Sequence, residues 1–274
     1  MAKKPEKDAN TQSQTIDIVA LERRELTVAV IGESPLILNK VSEKARRELL
    51  LPAPRKTAAD KLARLKHQPL EEFRAAPYTL ASDKEPTLLA LPAGAFKKAI
   101  AQAAIDVPGA FKAQIGRLIW IEGVESELVG IFGVPMLVMN IVRSADMNRT
   151  PDVRTRVILK SWAALLRINY VSPNLTQKAI VNLLAAAGLI VGVGDWRQEK
   201  GAGSHGRFRL TDTDNPDFLL ILRHGGREAQ RKAMEDPQAY DRETEELLSW
   251  FDTELTRRRD RGDPAAPKKT GGQI

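Results

Sequence analysis

Cysteine is absent from all 274 residues, so disulfides and thiolate metal sites are excluded. Histidine is almost absent: His67, His205 and His224 are the whole supply, far apart in sequence, so neither a metal site nor a bound cofactor is expected. Aromatic residues make up only 5 % of the chain, which leaves the core to aliphatic side chains and makes each tryptophan worth locating. No apolar run suits a membrane span: the longest, Ala179 to Gly194, is interrupted by Asn182 and three glycines. The opening M-A-K-K-P-E-K-D is polar and does not read as a secretory signal. The G-K-[ST] ending of a phosphate loop is missing, and so is a dinucleotide fingerprint behind a strand. No internal repeat occurs. The expectation from these absences is a cytoplasmic protein with no membrane partner.

What is present is a moderate excess of positive charge, 42 Lys and Arg against 35 Asp and Glu. The net +7 suits a polyanionic partner. The excess is uneven. Arg143, Arg149, Arg154, Arg156 and Lys160 sit in one short segment with only Asp146 and Asp152 as counter-charges. That segment reads either as a surface that tracks phosphates or as a solvated hairpin with internal Arg–Asp pairs. Met147 and Pro151 near its tip are apolar groups suited to wedging between bases or to covering a neighbouring subunit.

Apolar periodicity gives the order of elements. Leu26, Val28 and Val30 alternate with Thr27, Ala29 and Ile31, as in a central strand. A helix is expected over Ala93–Ile105, with Pro92 in its first turn and Phe96 and Ile100 on its apolar face. Leu118–Ile121, Val134–Val142 and Val157–Val171 read as strands, the last two as a long hairpin whose tip is the basic segment. Asn174–Ala187 reads as a helix capped by Asn174, with Gln177 completing a capping box and Gly188 closing it in the left-handed conformation. Gly206–Leu210 is expected as a short strand, and Phe218–Leu222 as an edge strand. The sequence thus predicts an α+β fold with a ferredoxin-like or RRM-like βαββαβ core, an antiparallel sheet and both helices on one face. In domain terms, 1–17 is a disordered tail and 18–222 the core. The core carries a helical insertion at 41–85 and the hairpin tip at 143–157. Residues 223–256 are a helical segment and 257–274 a second disordered tail.

Between the second helix and the last strand runs G-L-I-V-G-V-G-D-W-R-Q-E-K-G-A-G-S-H-G-R-F-R-L, from Gly188 to Leu210. Glycines let a ligand approach backbone N–H groups, and Arg197, Lys200, Arg207 and Arg209 make that ligand anionic. Gly201, Gly203 and Gly206 are the candidate approach points; an ordinary surface loop accounts for the same glycines. Trp196 is read as core packing beside a helix end, with base stacking as the alternative. His205 is the one histidine in a suggestive setting, either as a phosphate contact or as a base for cleavage at a ribose hydroxyl.

The βαββαβ order, the glycine loop before the last strand and the insertion after the first strand together resemble the RAMP superfamily. These are the repeat-associated proteins of CRISPR systems. The matching residues are Gly192-Val193-Gly194, Gly201-Ala202-Gly203 and Gly206-Arg207-Phe208; Asp195 to Lys200 splits the glycines. The basic tip between Val142 and Val157 is similar to the thumb of backbone subunits in CRISPR effector complexes. The resemblance implies a non-catalytic binder of single-stranded RNA or DNA that grips phosphates without regard to sequence. It also implies self-association into an oligomer or filament within a ribonucleoprotein. Two rivals remain: an endoribonuclease using His205, and a phage or mobile-element structural protein whose basic hairpin meets another protein.

Overall fold

The computed structural model describes residues 19–41, 50, 67–125, 127–143, 151–199 and 203–261. The expected tail at 1–17, most of the insertion, the hairpin tip at 144–150 and the last residues from 262 lie outside the described residues. The fold is a mixed α/β arrangement of antiparallel sheets.

In chain order the strands are β1 (Glu22–Gly32), β2 (Leu36–Leu38), β3 (Tyr78–Thr79), β4 (Leu89–Pro92), β5 (Ile119–Glu122), β6 (Leu128–Gly130), β7 (Pro135–Arg143), β8 (Pro151–Leu159), β9 (Ala163–Ser172) and β10 (Phe208–Thr211). The helices are α1 (Pro69–Ala75), α2 (Ala93–Ala103), α3 (Lys112–Leu118), α4 (Gln177–Ala186), α5 (Pro216–His224), α6 (Arg227–Glu235) and α7 (Arg242–Asp260). Three sheets form, ordered β10-β1-β9-β5, β2-β8-β7 and β3-β4-β6.

The first sheet follows from alternation. Val30 pairs with Leu210 on one side and Ala164 on the other, and Leu26 pairs with Ile168. These residues share one face of the sheet. That face packs on Phe96 and Ile100 of α2 and on Ile180, Leu183 and Leu184 of α4. The opposite face is covered at one end, where Phe218 of α5 meets Ala29 and Ala163.

Several expectations need correction. Val134–Val142 does not join this sheet; the strand in that place is β5. The expected strand Val157–Val171 is two strands. The chain changes sheets at Lys160–Ser161, and Trp162 is buried where any Cβ on Gly32 would strike it. The Trp162 indole donates to the Ser34 carbonyl at 2.9 Å, and Gly32 N–H donates to the Trp162 carbonyl at 2.8 Å. Phe218–Leu222 is helical, because Asn215 caps the N–H groups of Asp217 and Phe218 and Pro216 occupies the first turn. Thr176, not Asn174, caps α4. Gly188 does not end that helix: a wide π-type turn continues over Ala187–Val191, and Gly192 ends it at φ +75°. Arg257–Asp260 is not tail but the end of α7, where Glu254 pairs with Arg257 and Arg258.

Gln230 of α6 ties three parts of the chain together. It is fully buried. Its carbonyl oxygen accepts from the N–H groups of Leu88 (2.7 Å) and Leu89 (2.9 Å). Its amide nitrogen donates to the carbonyls of Ile131 (2.8 Å), Gly133 (3.1 Å) and Gly225 (2.9 Å). Gln230→Leu removes all of these and leaves backbone groups without partners. It is expected to cost more than about 3 kcal/mol in chemical denaturation, since each buried unsatisfied group costs about 1–3 kcal/mol. A loss within about 0.5 kcal/mol, typical of an indifferent position, would show that the amide is not the tie.

Candidate functional site

The glycine loop lies against β2 and folds back on itself. Asp195 N–H donates to the Ile37 carbonyl at 3.0 Å, so the loop extends the β2-β8-β7 sheet past the β2 edge. Val193 N–H donates to the Gly206 carbonyl (2.9 Å), His205 N–H to the Trp196 carbonyl (3.2 Å) and Gly206 N–H to the Pro35 carbonyl (2.8 Å). Gly192 N–H donates to Ala187, and Arg207 N–H to the Ser34 hydroxyl. These donors are therefore held inside the protein and are not displayed to a ligand. Gly203 and Gly206 let the loop pack closely on itself. A Cβ on Gly203 would fall on the Trp196 carbonyl, and one on Gly206, at φ +70°, on the Val193 carbonyl. Gly201, with Lys200, lies outside the described residues.

What the loop displays is side chains. Trp196 is held at φ +54°, a strained conformation for a bulky residue. It is not core: it remains 40 % exposed. Its ring stacks on His205 with centroids 5.9 Å apart, and the Arg156 guanidinium lies 5.5 Å from its centroid. Arg156, expected on a solvated tip, is instead in the β8 ladder opposite Val138 and only 3 % exposed. Its Nη1 lies 3.4 Å from the Asp195 carboxylate. Among the described residues, neither Nε nor Nη1 of Arg156 has a hydrogen-bond partner, and nor does His205 Nδ1. Asp195 is oriented by other groups: it accepts from the Asn39 amide (3.1 Å) and from Trp196 N–H (3.0 Å).

The electrostatics follow from this placement. Burial holds the Arg156 guanidinium below its ordinary pKa; Asp195 opposes that shift and Arg154 adds to it. Burial likewise lowers the His205 pKa, against a raising effect from the Trp196 backbone; Arg156 lowers it further and Asp195 raises it. The site therefore holds an incompletely paired cation beside a neutral imidazole and an exposed indole.

The other predicted residues divide. Arg154 is exposed on the same strand face as Arg156, opposite Asn140. Arg197 donates to the Gly194 carbonyl (3.1 Å) and pairs with Glu199 (2.9 Å). Lys160 and Arg209 turn toward α5: Lys160 lines a groove with Leu220 and Ile221, and Arg209 lies 4.0 Å from Asp217. Arg143 ends β7, and Arg149 lies outside the described residues. Asp152 meets His67 at 3.1 Å. Beside the loop a cleft of about 860 Å³ opens toward α2, lined by Lys98, Lys112, Arg197, Asp195 and Glu199 among others. Sequence reading missed Asn39 and underrated Asp195. Asp195 carried a weak signal, an acid among glycines. Asn39, 156 residues away, carried none.

No protein-family model matches the chain, and no curated protein matches it in sequence. Among solved structures, the crystal structure of Cmr6 from Pyrococcus furiosus is similar at 10 % identity and a TM-score of 0.34, over 71 % of this chain and all of that one. A likeness of that size decides nothing about function. No helix among the described residues is long and apolar enough to cross a membrane.

Two outcomes are expected. Gly206→Ala should lower stability by roughly 2 kcal/mol or more, from positive φ and steric overlap together. Gly94→Ala in α2, where a Cβ meets nothing within 4 Å, should raise stability by about 0.5–1 kcal/mol. Denaturant midpoints of the two variants check this. The second concerns pH. His205 titrates lower in the folded state than its ordinary value near 6.5, so the unfolded chain binds the proton more readily. Stability is unaffected above that value and falls as pH drops through it toward the folded pKa. Wild type should lose more melting temperature than His205→Gln between about pH 7.5 and about pH 5.

Proposed function

We propose that this chain binds single-stranded RNA or DNA through its phosphates, without regard to sequence, on the face of the β2-β8-β7 sheet that carries Arg154, Arg156, Trp196 and His205. The observation that supports the reading best is the half-exposed Trp196 beside a buried, incompletely paired arginine and a histidine. Single-strand binders combine cations along the backbone path with an aromatic surface for unpaired bases. Phosphate contacts position the strand and carry no sequence information. The net charge of +7 favours the same partner.

The same reading takes the β10-β1-β9-β5 sheet with α2 and α4 as a ferredoxin-like unit, as the RAMP resemblance implies. The supporting fact is the strand order, in which the first and third strands of the unit are central neighbours and all pairs are antiparallel. In this role the unit is scaffold, and the hairpin sheet and the glycine loop meet the strand.

The test is a salt titration with a fluorescent single strand of about 16 nucleotides. Log affinity should fall linearly with log salt, at a slope near 0.7 per phosphate neutralised. Arg154→Gln should flatten that slope by about one contact and weaken uridine-rich and adenine-rich strands alike. Lys160→Gln, on the α5 side, should leave it unchanged. Absence of binding at low salt would overturn the reading.

A further inference from the structure

Arg156 is a charge that the fold buries without satisfying. Taking a guanidinium out of water costs several kcal/mol unless its donors are paired. Here Asp195 approaches one nitrogen at 3.4 Å, while Nε and that same Nη1 have no hydrogen-bond partner among the described residues. The carboxylate does not sit where it best serves the arginine. It sits where Asn39 and the Trp196 N–H place it. A guanidinium offers a planar fork of donors that matches two oxygens of a phosphate.

The cover over this arginine is thin. The Asp195 side chain is 39 % exposed and Trp196 is 40 % exposed, whereas the Arg156 side chain beneath them is 4 % exposed. The His205 imidazole stacks on the same indole, with its Nδ1 buried and unpartnered among the described residues. In the appropriate tautomer that nitrogen is a hydrogen-bond donor.

We propose that Arg156 is the floor of a phosphate seat for one nucleotide of a single strand, and that the Asp195 carboxylate is the internal stand-in that a backbone phosphate displaces. This rests on the nucleic-acid reading and deepens it. The adjoining indole favours a phosphate that carries an unpaired base over an acidic peptide, because the base gains a stacking surface as the phosphate enters. The stand-in keeps the arginine partly neutralised while the seat is empty. It also competes with the ligand, so its removal should strengthen binding.

The experiment compares Asp195→Asn with Glu199→Gln in the full chain, each binding a labelled oligouridylate of about 16 nucleotides at fixed salt. Both substitutions remove one negative charge from the same loop, so a general field effect moves them equally. The seat predicts that Asp195→Asn tightens binding about fivefold while Glu199→Gln changes it by less than about twofold. Neither variant touches Arg156, so the comparison does not depend on an arginine variant folding. If wild type binds and Asp195→Asn binds no tighter, or Glu199→Gln gains as much, the seat is wrong and the broader reading stands. If neither wild type nor variant binds the strand, the broader reading falls and the seat with it.

Discussion

Two carbonyl groups, those of Val193 and Trp196, occupy the space that side chains at residues 206 and 203 would need. The loop closes on itself at van der Waals distance, and only glycine permits that approach. Its donors pair inward, with Val193, His205 and Gly206 all bonded to backbone carbonyls of the protein. The closure holds Trp196 at positive φ and leaves its ring outward over Arg156 and beside His205. Among the described residues, the glycine loop packs closely on itself around one indole. In the proposed reading, the chemistry offered to a ligand belongs to side chains.

A second arginine–tryptophan pair is arranged differently. On the open face of the four-stranded sheet, Arg23 lies 5.5 Å from the Trp120 ring centroid. There Arg23 Nε donates to Asn169 at 2.8 Å, and Glu122 answers Arg23, Asn169 and Arg167 together. In that network the charged groups are answered and largely exposed over a buried Asn169, and such surface ion pairs contribute little to stability. At Arg156 the charge is buried, its partner is shared with other groups, and nitrogen donors remain unanswered. An incomplete buried pair is a costly arrangement for stability alone. A ligand that completes it gives the arrangement a reason.

Much of the scaffold was legible in the sequence. The alternation of Leu26, Val28 and Val30 and the i, i+3, i+4 spacing of Ile180, Leu183 and Leu184 placed β1 and α4 and oriented both toward the core. The division into sheets was not legible, because a strand pattern records which faces are apolar and not which strand lies alongside. Val134–Val142 therefore went to the wrong sheet. The switch at Lys160–Ser161 depends on Trp162 filling the space beside Gly32, a contact across more than a hundred residues. The site was half legible. Glycines, Trp196 and His205 stand together in the sequence, but glycine marks two needs alike, close approach of a ligand and close approach of the chain to itself. Arg156 reads as one more cation in a basic run. Its burial comes from register, since pairing Leu38 with Val157 sets Arg156 beside Asn39 and the loop.

The account's central claim is that an unpaired nucleotide sits at Trp196. Ultraviolet crosslinking with a thiouridine-bearing single strand, followed by peptide mapping, reads that contact at residue level. The account predicts adducts within the loop segment that holds Trp196 and His205, or on the strand segment that holds Arg154 and Arg156. Adducts confined to the open sheet face around Trp120, or none above the level seen with a duplex, would contradict it.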